Sequence, residues 1–504
     1  MKKKDSRILK KRKQKLAQRL DRTRFPEQSG PVFKAKNIRY EMGDRAQAIG
    51  CGGIGAMHLL AQNSGLVDAI NRKLGLLKIH LPYHESDHVL NIAYNTLAGG
   101  TCLEDIELLR NDETYMDALG AERIPDPTTA GDFTRRFSEG HVLMLMEAIN
   151  SVRVKQWNRH LSRQQRAEAI LDVDGTIAPT TGQCKQGMGL SYNGVWGYHP
   201  LLISLANTME PLYLVNRPGN RPSHDGAAAW IDRAVSLVSG SFDKVYVRGD
   251  TDFSLTAHFD RWSQSGVLFA FGMDAMPGLV KRAESLAVEC WHVLKRDKKK
   301  NPGSGKRRRC QQRVKEQIVE QRQYKNIKLE REHVAEFDYQ PTKCKKSYRV
   351  VVLRKSLGVH QGQMRLWDDT RYFFYITNIT EKSADEVVCF CNDRCNQENL
   401  IEQLKNGLNA MRMPVGDMVS NWAYMVMCSL AWTLKAWFAF VAGKGDGREK
   451  LLRMEFRQFL NALIKLPVQI INSGRRLIYR VLSYNHWLHT LFPTFDRIRR
   501  LRLA

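Results

Sequence analysis

The chain predicts an α/β protein, a mixed sheet flanked by helices and preceded by a helical N-terminal region. Three observations carry this. Residues 40–165 repeat apolar side chains at helical spacing between Gly and Pro breaks. From residue 168 the period falls to two, in short β-branched runs joined by Gly-rich connections. Three such runs, a helix and a further run follow in order, so the first strands can pair as an antiparallel meander within a larger sheet.

Residues 1–20 carry ten Lys/Arg against one Asp. They read either as a solvated tail or as an arm that holds DNA phosphates. Helices are expected at Ala56–Ala61, Gly65–Leu74, His88–Leu97, Leu103–Leu109 and Gly140–Leu161, with breaks at Gly99-Gly100 and Pro125–Pro127. Thr128–Phe137 reads as an N-capped basic helix, either a helix-turn-helix reader or a surface helix. Strands are expected at Ala169–Asp174, Pro200–Ala206 and Leu212–Val215, a helix from Ser223 to Val238, then strands at Lys244–Arg248 and Val267–Phe271. Lys295–Arg309 packs nine cations around a Pro/Gly break and reads as a flexible basic loop. Beyond it, Tyr348–Leu353 and Tyr372–Thr377 are strands. Residues 422–442 are apolar, but Lys435 in their middle argues for a buried helix over a membrane span.

A net charge of +26 and a pI near 9.7 call for a polyanionic partner, nucleic acid first and acidic membrane second. The ten cysteines form no CxxC pair, and Cys389, Cys391 and Cys395 lack a matching second half. Reduced cytosolic thiols fit better than zinc or disulfides.

Between Cys391 and Lys405, Leu400, Ile401 and Leu404 begin an apolar stripe that Leu408 and Met411 continue. At about 100° per residue, Arg394, Glu398 and Lys405 fall within roughly 40° of one another beside it. Taken alone this is also what a surface ion-pair row looks like. Two further carboxylates stand at predicted strand ends, Asp174 in Leu171–Thr176 and Asp250 in Val247–Phe253. Two strand-end aspartates and a helix glutamate are what a two-metal phosphoryl-transfer site needs. Hard carboxylate oxygens hold Mg²⁺ or Mn²⁺ at about 2.0–2.1 Å, with two ions about 3.5–4 Å apart. Arg394 and Lys405 suit the phosphates of a nucleic-acid backbone. Asp172 and Asp174 share a strand face, so spacing does not choose between them.

The run C-x2-R-x3-E-x6-K from Cys391 to Lys405 resembles the Tyr-Arg-Glu-Lys signature helix of bacterial insertion-sequence DDE transposases. Asp174-Gly-Thr is similar to their first aspartate motif and Arg248–Phe253 to their second. The composite most resembles insertion-sequence family 1380, over residues 165–445. Cys391 stands where the signature has Tyr, and Asp252 where Gly is usual. The resemblance implies an RNase H-like catalytic core with a β-rich insertion, and catalytic Asp174, Asp250 and Glu398 holding two Mg²⁺, for which Mn²⁺ can substitute. It implies segments at 1–165 (basic arm and helical DNA-binding region), 166–274 (first part of the core), 275–370 (insertion), 371–445 (second part with the catalytic helix) and 446–504 (basic helical end).

The implied reaction is cut-and-paste on double-stranded DNA, the element's terminal inverted repeats and the target. Pairing two ends needs at least a homodimer. No membrane partner is expected, and the place of work is the cytoplasm, at the nucleoid. Relatives pass through a hairpin end and stack a flipped base on an aromatic. Trp291 and Trp367 are candidates, with core packing the other role open to each.

Two other readings remain. Leu171–Thr176 also fits the Asp-x-Asp-Gly-Thr opening of haloacid-dehalogenase-like phosphatases, with Asp172 as nucleophile, although their late acidic pair is incomplete at Asp250, Asp252 and Ser254. The third reading is a DNA-binding protein without catalysis.

Overall fold

The computed structural model describes residues 2–21, Arg39, 47–80, 82–182, 184–295, 325–361 and 364–501, with backbone alone for 325–330, 359–361, 364–369 and Cys395. The basic loop at 295–309 lies outside the described residues apart from Lys295, and Arg502 also lies outside them.

Helix α1 (Lys3–Leu20) has no buried residue. Its cations face solvent except Arg12, whose Nη1 donates to the carbonyls of Val481 and Ser483 at 3.1 Å each. The expected N-terminal helices form at Ile54–Asn63, Leu66–Lys73, α2 (Glu85–Ala98), Ile106–Arg110 and, further on, α4 (Glu139–His160). Asp126 starts α3 (Pro127–Thr134) by accepting from the Thr129 amide at 2.9 Å, the N-cap that Pro at the next position favours. Ala130, Phe133 and Thr134 of α3 turn inward, while Asp132 and Arg135 face out.

One nine-stranded mixed sheet dominates the rest. Its strands are β1 (Glu168–Gly175), β2 (Leu201–Leu205), β3 (Glu210–Val215), β4 (Lys244–Gly249), β5 (Leu268–Met273), β6 (Lys325–Tyr339), β7 (Tyr348–Gln361) and β8 (Met364–Thr377), with a short strand His292–Val293. The spatial order is His292–Val293, β6, β7, β8, β5, β4, β1, β2, β3. β1, β2 and β3 are an antiparallel meander, whereas β4 runs parallel to β1 and β5 parallel to β4. Helix α5 (Ala227–Ser239) connects the meander to β4 and buries Ile231, Ala234 and Val238.

The segment after residue 275 extends this sheet. β8 pairs antiparallel with β5, from Phe374↔Met273 to Thr377↔Ala270, and continues without a break across residue 370. Two helices follow, α6 (Ala384–Asn392) and α7 (Cys395–Glu402), and then α8 (Met418–Ala442). Helix α8 is long and apolar enough to cross a membrane, yet every residue from Ser420 to Val441 is buried within the protein, against α2, α4 and β3. Lys435 is accommodated there by donating to the Leu452 carbonyl at 2.8 Å and lying 3.6 Å over the Trp432 ring.

Candidate active site

The site begins with strand register. β1 and β4 run parallel with Asp172 opposite Arg248. Two residues further along each strand, on the same face, come Asp174 and Asp250. Both therefore stand at the carboxyl ends of adjacent parallel strands, where open α/β sheets place ligands. The register also explains Arg248. Its Nε bonds Asp172 Oδ1, its Nη2 reaches Oδ2 at 3.1 Å, and its Nη1 donates to the Phe390 carbonyl at 2.5 Å. Asp172 is 1% exposed. Held this way it is a structural ion pair, which removes the nucleophile that the phosphatase reading requires.

Gly175, next to Asp174, is tightly bounded by side chains. A Cβ there would lie 2.9 Å from Nε2 of His199 and 3.2 Å from Oγ of Ser223. His199 is buried, and its Nδ1 lies 2.7 Å from the Arg221 carbonyl, which makes that nitrogen the donor.

The expected single helix carrying Arg394, Glu398 and Lys405 is corrected in shape. α6 ends at Asn392, Arg394 caps the start of α7, and Gln403–Gly407 forms a π-turn. The break precedes Arg394, so Arg394 and Glu398 stay on one helical run and only Lys405 is shifted, by the π-turn. The apolar stripe holds, with Leu400, Ile401, Leu404, Leu408 and Met411 all buried. Sequence reasoning missed the residue that fixes this helix. Gln397, buried on that stripe, donates from Nε2 to the Asp172 carbonyl at 2.9 Å and the Leu202 carbonyl at 3.3 Å. A polar residue in an apolar stripe was the available signal.

Glu398 thereby faces an open cleft of about 490 Å³ together with Asp250, Arg394, Asp274, Tyr372 and Phe373. Arg394 does not point to solvent as a free phosphate ligand would. Its Nη1 lies 3.1 Å from Asp174 Oδ2 and 3.7 Å from Asp250 Oδ2. Lys405 is half-buried and feels the charge of Asp174. Trp291 is half-buried with the Arg354 guanidinium 4.2 Å over its ring, and the side chain of Trp367 lies outside the described residues.

Burial dominates the electrostatics. It pushes Asp174 up to about 7, with Asp250 and Glu398 adding to the rise and Arg394 opposing it. Burial also raises Asp250, again against Arg394 and with help from Asp252 and Asp274. Lys405 is lowered, first by burial. A carboxyl whose pKa is raised by burial and by two neighbouring carboxyls marks a site short of positive charge. The donor set is all oxygen, as a hard divalent cation prefers, and a guanidinium already stands between two of the three members. Asp174, Asp250 and Glu398 are ligand types that a divalent cation takes, but their oxygens do not all come within 4.8 Å of one another. Among the described residues, His80, His84 and Glu85 have ligand atoms closer together, within 4.8 Å. There the imidazoles stack in parallel at 4.6 Å, and Glu85 accepts from the Leu76 and Leu77 amides.

A pH signature follows. Because the folded carboxyl of Asp174 titrates above its ordinary value of 3.8, the folded state holds the extra proton between about pH 4 and about 7. Its contribution to stability is complete below that window and lost as pH rises through it. The thermal midpoint of the metal-free wild type should therefore fall relative to Asp174→Asn across that range. Parallel pH curves for the two proteins would refute the assignment.

The family model for transposase DDE domain group 1 matches residues 42–503. No curated protein matches the chain. Among solved structures, the piggyBac transposase in a cryo-EM synaptic complex with hairpin DNA is similar at 10% identity and a TM-score of 0.38, over 82% of this chain and 80% of that one. With the family model spanning nearly the whole length, the chain belongs to the DDE transposases.

Proposed function

We propose that the chain is an insertion-sequence transposase of family 1380 with an RNase H-like core, and that it cuts the ends of its element and joins them to target DNA. The observation that carries this reading is the parallel register of β1 and β4, which brings Asp174 and Asp250 to matching strand ends beside Glu398. These three carboxylates would hold two Mg²⁺, or Mn²⁺ in their place. Ions in such a site acidify the attacking water or 3′-hydroxyl and neutralise the leaving oxygen. Gln397 fixes the angle of Glu398 by anchoring α7 to β1 and β2. The DNA strand enters the cleft past Tyr372 and Phe373, and Lys405 adds positive charge on the Asp174 side. The exposed cations of α1 take backbone phosphates away from the cut. Two ends held together require two copies of the chain.

The test is incubation of the purified chain with its own terminal inverted repeats and Mg²⁺, resolved strand by strand. A nick at the element boundary is expected. Binding without any nick, in Mg²⁺ or Mn²⁺, would favour the non-catalytic reading.

A further inference from the structure

Arg394 has a position that phosphate binding alone does not explain. Its guanidinium carries one positive charge and here shares it between two carboxylates on neighbouring strand ends, through a single nitrogen. The side chain rises from the break between α6 and α7, where the Arg394 amide still donates to the Cys391 carbonyl at 3.2 Å. A residue at such a break can swing without unwinding either helix. On its open side lies the cleft that also contains Glu398, Tyr372 and Phe373. A divalent cation held by Asp174 and Asp250 would compete with the guanidinium for the same two oxygens, Asp174 Oδ2 and Asp250 Oδ2.

We infer that Arg394 is a positioning residue with two alternative partners, the carboxylates of Asp174 and Asp250 before the site is loaded and a phosphate of the DNA end afterwards. This rests on the reading of Asp174 and Asp250 as metal ligands and adds a coupling to it. Cation uptake without DNA leaves the guanidinium displaced and unpaired. DNA binding without a cation draws the guanidinium away and leaves two carboxylates facing each other. With both present, Arg394 makes a charge-assisted contact to phosphate and the carboxylates keep a counter-charge. Cation and DNA therefore strengthen each other's binding, and by linkage they do so by the same factor.

The experiment measures Mn²⁺ binding by the loss of the free-ion electron paramagnetic resonance signal. Each protein is titrated alone and with a pre-cleaved end duplex bearing a 3′-dideoxy terminus, which cannot react further. In wild type the duplex should tighten Mn²⁺ binding by about fivefold or more, the lower range of measured couplings. Arg394→Gln should bind Mn²⁺ more tightly than wild type without DNA and gain little when DNA is added. Arg394→Lys, which keeps a cation, should recover part of the coupling. Equal Mn²⁺ affinity of wild type and Arg394→Gln without DNA would overturn the inference, as would equal enhancement by DNA in both. Asp174→Asn separates the two layers. If it abolishes Mn²⁺ binding while Arg394→Gln changes nothing, only the coupling falls. If Mn²⁺ binding survives Asp174→Asn unchanged, the metal-site reading falls and the coupling with it.

Discussion

Glu398→Gln and Asp174→Asn should each leave the protein folded and bound to DNA while cleavage at the element end drops by about 10³-fold or more. Both changes keep side-chain size and remove a charge that a divalent ion needs. Several kcal/mol of transition-state stabilisation depend on that ion, and each 1.4 kcal/mol is about a factor of ten. Binding should survive because the cations of α1 are remote from these carboxylates in the chain and make no bond to them. Strand-resolved cleavage and a gel-shift assay on the same preparations separate the two quantities. Near-normal cleavage by Glu398→Gln would remove Glu398 from the active site. Glu402, one turn on and bonded at Oε1 to Asn406 Nδ2 at 2.7 Å, would then be the acidic residue to examine.

Asp172→Ala should act in the opposite manner. It strands Arg248, which is 3% exposed, without its bidentate partner between β1 and β4. Breaking a buried pair from one side costs about 3–5 kcal/mol. A clear fall in the urea midpoint is expected, against little change for Asp174→Asn. At neutral pH and without metal, Asp174→Asn also relieves the burial and like-charge crowding of that carboxyl. The two aspartates, two residues apart on one strand face, would thus divide stability from chemistry. Should Asp172→Ala keep the wild-type midpoint but lose cleavage, the metal ligand moves two residues back along β1.

Much of this was readable from local pattern. The strands around Asp174 and Asp250 announce themselves in β-branched runs such as Lys244–Arg248, and the stripe from Leu400 to Leu408 fixes which side of α7 faces inward. What local pattern does not contain is long-range pairing. The expected strand starts at Leu212 and leaves Glu210 out, yet Glu210 begins β3 fully buried, bonded to Arg153 Nε at 3.1 Å, Trp157 Nε1 at 2.8 Å and Trp437 Nε1 at 3.1 Å. None of those partners is near it in sequence. The break at Asp393 and Arg394 contains no Gly or Pro, so helix propensity continued straight through it. β6 was missed because its apolar residues alternate among dense charges, and Ala335 is buried through packing into the core, which local pattern does not contain. The contact of Arg394 with Asp174 and Asp250 was invisible for the same reason, since the nearer contact in space, to Asp174, spans 220 residues.

The pairing of β8 with β5 bears on how such a gene can be rearranged. Phe269 and Phe271 of β5 are fully buried, and the strand's outer edge is closed by Phe374 to Thr377 of β8. A shortened chain lacking β6 to β8 would therefore not be a smaller working enzyme. It would expose the open edge of an apolar strand, a template for pairing with other chains. The long segment between the second aspartate and the glutamate is thus not a detachable cassette. Its last strand belongs to the same nine-stranded sheet as the strands that end at Asp174 and Asp250.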